Sequence, residues 1–188
     1  MDEFNQTSDV VVSRMVSALQ RLQIEFMLVG SLSVNAYATP RSTKDADIEL
    51  LLSDGDLVRL QGEIDAEFEM SRQLEFELVT GSLRNICRHR KTDFEIELFR
   101  LSDDPHHQKR FQRRVTIHLS IFDQPVSIPT VEDVIIEKLR WNRPKDQVDV
   151  RNLIALHGEQ LDRTYLDSWL KEHQTADLFE QLSCIDDG

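Results

Sequence analysis

Six residues, Ile24-Glu25-Phe26-Met27-Leu28-Val29, form a short run that is apolar at five positions and stops abruptly at Gly30-Ser31. A run this short, closed by turn residues, reads as a buried strand. A short helix over about 31–38 is expected next, ending near Pro40, and Ala46–Leu52 reads as a second strand. Strand, Gly-Ser, helix, strand leaves few folds open. It puts a glycine at a strand-to-helix turn and carboxylates at the start of the following strand.

The flanking pattern fills in the rest. Val12, Met15, Val16, Leu19 and Leu22 recur at helical spacing over 9–23, with Ser8 or Asp9 as the cap. A helix is expected over about 54–68, and 71–82 leans to a short helix. Residues 83–88 and 93–100 flank the polar turn His89-Arg90-Lys91-Thr92 and predict a hairpin. In its second arm Phe94, Ile96 and Leu98 alternate with Glu95 and Glu97, which makes one face apolar and the other acidic. Pro105 opens a helix through Arg114, and 115–122 with 126–128 predict another strand pair. From Thr130, a good N-cap, helices follow to the end at about 146–156, 160–173 and 174–182. The fold class is α+β, with a core over 1–129 and a C-terminal helical segment over 130–188 packed on it.

Composition narrows the function classes. The chain is 40% hydrophobic and 30% charged, as folded proteins are, and no apolar run approaches the roughly 20 residues of a membrane span. The polar, acidic start MDEFNQTSD does not resemble a targeting signal, and two distant cysteines, Cys87 and Cys184, suggest no disulfide framework. A cytoplasmic protein with no membrane partner is expected. The net charge of −12 argues against a general nucleic-acid coat. Three basic clusters remain: Arg84 to Lys91, Lys109 to Arg114, and Lys138 to Lys145. Each reads first as a solvated face. His106-His107 has no third ligand near it in sequence, so no metal site is expected there.

Asp45 and Asp47, at i and i+2 on extended backbone, point to one side and can share hard cations. Gly30 between strand and helix lets backbone approach phosphate at the helix N-terminus. Alone the acidic pair means little, since 34 acids in 188 residues give roughly six such pairs by chance. The ordered combination is the informative feature.

The string from Val29 to Asp47, with Gly30-Ser31 and Arg41-Ser42-Thr43-Lys44-Asp45-Ala46-Asp47, resembles the opening motif of DNA polymerase β-like nucleotidyltransferases. It is most similar to the compact bacterial branch that includes the AbiEii-type toxins. Asp133–Lys138 resembles that family's Asp-x4-Lys helix, and Arg143–Asp149 its Arg-x-Lys-Asp-x-x-Asp motif. The resemblance implies a mixed sheet flanked by helices and transfer of a nucleoside monophosphate from an NTP to a hydroxyl, with Mg2+ or Mn2+ as cofactor. It implies metal binding and catalysis at Asp45, Asp47 and a third carboxylate. The best match for the third is Glu97 in Ile96-Glu97-Leu98, with Asp93 and Glu95 as fallbacks. It implies nucleotide contacts at Gly30, Ser31, Arg41, Thr43, Lys138, Arg143, Lys145 and Asp149. Arg41 and Thr43 are expected to shape the loop, and Arg143 and Asp149 fit an ion pair between helices equally well. Glutamate at 97 departs from the family's aspartate, as does Ala38 from a frequent glycine. The implied partners are the NTP, a tRNA, protein or small-molecule acceptor, and an antitoxin-type protein if the chain is a toxin. The rival reading is a degenerate nucleotide- or partner-binding module with the same fold.

Overall fold

The computed structural model describes residues 3–71 and 73–184, with side chains from Ser8 onward. In chain order the elements are α1 (Glu3–Arg21), β1 (Glu25–Val29), α2 (Gly30–Tyr37), β2 (Asp45–Leu51), α3 (Asp56–Ile64), β3 (Phe68–Met70), β4 (Glu75–Phe76), β5 (Leu83–His89) and β6 (Glu95–Arg100). After them come α4 (Pro105–Arg113), β7 (Val115–Ile117), β8 (Val126–Ile128), α5 (Val131–Trp141), α6 (Pro144–His157), α7 (Arg163–Glu172) and α8 (Ala176–Ser183). Among the described residues no helix is long and apolar enough to cross a membrane.

The main sheet runs β1-β2-β6-β5-β3, with β4 pairing on β5. Only β2 and β6 are parallel; the other pairings are antiparallel. Alternation decides what each face does. Ala46, Ile48 and Leu50 of β2, with Ile96 and Leu98 of β6, turn inward against Met15 and Leu19 of α1 and Leu60 of α3. The opposite face carries Asp45, Asp47 and Glu49 on β2, and Glu95, Glu97 and Phe99 on β6. A second apolar core joins Ile135, Leu139, Val150, Leu153, Leu166 and Phe179 of the C-terminal helices to Val34 of α2. Tyr37 at the end of α2 donates its hydroxyl to Pro129 O at 2.7 Å, and the His157 ring bonds Tyr37 O at 2.7 Å. The helix that follows the glycine turn is therefore gripped by the C-terminal segment.

Among its described residues the stretch 71–82 forms no helix. Phe68–Met70 and Glu75–Phe76 are strands laid on the free edge of β5, and a turn follows. Glu77 builds that turn: its carboxylate accepts the Val79 and Thr80 amides, both at 2.8 Å, and the Thr80 hydroxyl at 2.6 Å. Gly81 completes it at φ +68°. An open strand edge has overridden a weak helical preference. For the same reason the helix begun at Asp56 stops at Ile64, because Phe68 is recruited to the sheet. The 115–122 strand is also shorter than expected, at Val115–Ile117.

Candidate active site

One cleft opens over the polar face of β2 and β6, bounded by the start of α2, the 77–82 turn, α4 and α5. It encloses about 960 Å³ of empty space including its open mouth. Gly30, Ser31, Asp45, Asp47 and Glu97 all line it. The parallel register sets Asp47 directly beside Glu97 and Asp45 beside Glu95. Neighbouring strands lie roughly 4.8 Å apart, so the Asp47 and Glu97 carboxylates are forced into proximity by the sheet itself.

Gly30 is at φ +59°, and a Cβ built on it would sit 1.9 Å from Asp47 Oδ2. The glycine thus has a reason beyond phosphate access: any side chain would occupy the space of the Asp47 carboxylate. Thr43 fixes the other aspartate, its hydroxyl lying 2.8 Å from Asp45 O and 3.0 Å from Oδ1. Burial, then the charges of Glu97 and Asp45, push Asp47 up to about 7, against the pull of Lys138 and Lys145. Glu97 is raised too, by burial first; Arg84 lowers it and Asp45 raises it further.

The remaining residues divide into two groups. Lys138, Arg143 and Lys145 line the cleft; Arg41, Thr43 and Asp149 are outside its lining. Lys138 is only 5% exposed, and its Nζ lies 2.9 Å from Asp146 Oδ1 and 3.0 Å from Asp149 Oδ2. Arg41 bonds Asp149 through Nε at 3.2 Å and Nη2 at 2.9 Å, and reaches Ser31 Oγ at 3.4 Å. The Arg41 loop, α2 and α6 are tied together by this network. Arg143 pairs with Asp146 at 2.6 Å and stacks on Trp141. Lys145 is exposed and has no ion-pair partner among the described residues. Of the fallback acids, Asp93 sits in the hairpin turn at φ +55°, and Glu95 pairs with Arg88 at 2.5 Å.

Sequence reasoning placed Arg84 in a basic cluster read as a solvated face, and the structure turns it into the site instead. It comes from β5, two strands from the aspartates, and donates to Glu97 Oε2 at 2.5 Å while also pairing with Glu75 at 2.9 Å. Sequence reasoning missed the inner wall: Glu49, His107, Arg110, Asp133 and Glu137 line the same cleft. Only the placement of β6 next to β2, and of α4 across α5, brings these together.

His106 is buried behind this wall, with its ring nitrogens 3.1 Å from Asp133 Oδ1 and Glu137 Oε1. Burial pushes its imidazole down, but the two carboxylates outweigh burial and hold it above its ordinary range. A proton bound more tightly in the folded state stabilises the fold fully below the ordinary value near ~6.5. That contribution is lost as pH climbs through the folded value. The stability difference between wild type and His106→Gln is expected to be wider at about pH 6 than at about pH 9, read by urea unfolding. A difference independent of pH would refute the charged pairing.

Could these acids hold a metal ion? Among the described residues no three His, Cys, Asp or Glu side chains stand ready grouped to do so. Glu97 is engaged by Arg84 and leaves Asp45 and Asp47 as the near pair. The donor chemistry nonetheless fits a hard divalent cation: all candidate donors are carboxylate oxygens, and the charges of Glu97 and Asp45 add to burial in raising Asp47.

No family model matches this sequence, and no curated protein does. Solved structures do match. The chain aligns with ANT(2")-Ia in complex with adenylyl-2"-tobramycin at TM-score 0.61 and 11% identity, over 89% of this chain and 97% of that one. It aligns with an antigenic nucleotidyltransferase-like protein from Paracoccidioides brasiliensis at 0.59 and 18%, over 97% and 94%. It aligns with the lincosamide antibiotic adenylyltransferase LnuA, lincomycin-bound, at 0.52 and 13%, over 75% and 92%. At these identities what is shared is the fold, the mixed sheet with flanking helices of nucleotidyltransferases.

Proposed function

We propose that the chain is a metal-dependent nucleotidyltransferase that moves a nucleoside monophosphate from an NTP to a hydroxyl. The observation that carries the reading is the juxtaposition of Asp45, Asp47 and Glu97 on one face of the parallel β2–β6 pair, beside a glycine-opened helix. Asp45 and Asp47 would hold Mg2+ or Mn2+, with Glu97 completing the set. Bound there, such cations supply Lewis acidity at the α-phosphate and lower the pKa of the attacking hydroxyl. The acceptor oxygen forms a bond to the α-phosphorus, the bond to the β-phosphate oxygen breaks, and pyrophosphate leaves. Glu97 takes the hydroxyl proton. Gly30 and Ser31, at the N-terminus of α2, receive the β and γ phosphates. Lys145 and Arg143 neutralise charge that builds on pyrophosphate, and Lys138 does so from its seat between two aspartates. Arg41, Thr43 and Asp149 position the loop that presents Asp45.

The acceptor we favour is a small molecule. The net charge of −12 makes a poor track for a tRNA backbone. The solved neighbours captured with adenylyl-2"-tobramycin and with lincomycin support the same choice. A place in the AbiEii-type branch, and a toxin role with a protein partner, rest on the sequence resemblance alone. One observation favours the degenerate-module reading instead: Arg84 occupies the Glu97 carboxylate.

Incubation with each α-labelled NTP, Mg2+ or Mn2+, and pools of small-molecule, tRNA and protein acceptors separates the two readings. Label transfer to a hydroxyl supports the enzyme. Saturable nucleotide binding without transfer to any pool supports the module. Within the enzyme reading, Gly30→Ala is expected to slow transfer by at least about tenfold, because its Cβ must displace Asp47 Oδ2. Initial-rate measurements under saturating NTP check this, and an unimpaired variant would show that Asp47 is not held where the reaction needs it.

A further inference from the structure

The cleft continues past the aspartate pair. Asp45, Asp47 and Glu49 share one face of β2, so Glu49 stands two residues, roughly 6.6 Å, beyond Asp47. Glu49 is 2% exposed and lines the cleft. Its Oε1 accepts Arg110 Nη2 at 2.7 Å, while its Oε2 is buried with no hydrogen-bond partner. Arg110 is buried as well; its Nη1 lies 3.3 Å from Glu137 Oε2, and its Nε has no hydrogen-bond partner. His107 Nε2 is 3.3 Å from Glu137 Oε1 but makes no directed hydrogen bond to it. One acceptor and two ring or guanidinium nitrogens are thus left open along the same inner wall. Buried polar atoms are nearly always satisfied, and a cluster of exceptions lining a cleft points to a missing ligand group.

The chemistry of that group follows from the donor and acceptor inventory. An ammonium donates but cannot accept from Arg110 Nε. A phosphate or carboxylate accepts but is repelled by Glu49. A hydroxyl does both. We propose that the inner end of the cleft is a subsite for a polyol, in which a hydroxyl donates to Glu49 Oε2 and accepts from Arg110 Nε or His107 Nε2. The spacing from Asp47 to Glu49 is comparable to the width of one sugar ring. A molecule anchored here can therefore present a second hydroxyl at the aspartate pair. The subsite deepens the transferase reading by naming the acceptor class, and it depends on that reading only for calling the ligand an acceptor.

The test is calorimetric titration of the metal-free full chain with myo-inositol, glucose and glucosamine, with putrescine and inorganic phosphate as controls. Saturable binding of at least one polyol, with neither control binding, is the expected result. Binding is read without NTP or metal, which keeps the test separate from catalysis. Glu49→Gln is expected to weaken it at least about tenfold, the loss typical of a hydrogen bond to a charged group. Where Glu49→Gln lacks a cooperative thermal transition, Glu49→Asp replaces it, since it keeps the charge beside Arg110 but withdraws the oxygen by one methylene. The proposal is overturned by a panel in which no polyol binds, by putrescine or phosphate binding in place of the polyols, or by undiminished affinity in the folded Glu49 variant. A crystal structure with an ordered water filling all three open positions in the presence of the polyol would overturn it equally.

Discussion

Asp47→Asn is expected to reduce nucleotidyl transfer by at least two to three orders of magnitude, roughly the loss seen when a charge-stabilising group leaves a preorganised site. The same change is expected to leave the metal-free chain as stable as wild type, or more stable. The reason is electrostatic. Asp47 is buried between Glu97 and Asp45 and pushed up to about 7, so its ionised form opposes folding at neutral pH. Because its folded value is raised, that opposition builds as pH rises from the ordinary carboxylate value of 3.8 to about 7, is full above about 7, and is absent only below the ordinary value. An amide of the same shape removes it at every pH. Paired measurements of initial rate and thermal midpoint, both without added metal for the latter, check the two halves together. A site kept for stability would behave oppositely: the variant would melt earlier and transfer would fall only with the folded fraction.

Lys138→Met gives the second large effect, and its sign is reversed. Lys138 Nζ lies between Asp146 and Asp149, which are all but fully buried. Removing it leaves two carboxylates short of a partner. Breaking a buried pair typically costs about 3–5 kcal/mol. Arg143 still holds Asp146 and Arg41 still holds Asp149, so the low end applies, about 3 kcal/mol. For a chain of this length that lowers the midpoint by roughly 6–12 °C. Calorimetry on Lys138→Met and on the double variant Lys138→Met/Asp146→Asn separates the pair from the rest of the network. A loss under about 1 kcal/mol in the single variant would mean that the two arginines carry the aspartates by themselves.

These two residues show how unevenly the sequence exposed the site. Asp45, Asp47 and Gly30 lie within one short segment, and their placement follows from local rules, period-two alternation and a glycine between strand and helix, while the roles proposed for them come from the family resemblance. Lys138 was equally visible as a cation near the site, but its partners Asp146, eight residues on, and Asp149 lie on the next helix, across Asn142, where α5 ends and α6 begins. Glu97 was chosen because Ile96-Glu97-Leu98 best matches the triplet that the family resemblance implies. Its engagement with Arg84 was not legible, because Arg84 is a residue of a different strand whose register is set by the hairpin.

What the sequence alone determined was the order of strands and helices around the glycine turn, the alternation that puts acids on one sheet face, and the helical character after Thr130. All of these are encoded in side chains a few residues apart. The tertiary structure alone decided that β6 lies parallel beside β2, that 71–82 becomes strand and turn on the edge of β5, and that Glu49, Arg110 and Glu137 meet in one wall. Those outcomes depend on pairings outside any local window, across nine residues for Glu75 with Arg84, 50 for Asp47 with Glu97 and 61 for Glu49 with Arg110. There the free energy of closing a sheet edge or pairing a buried charge outweighs any local preference.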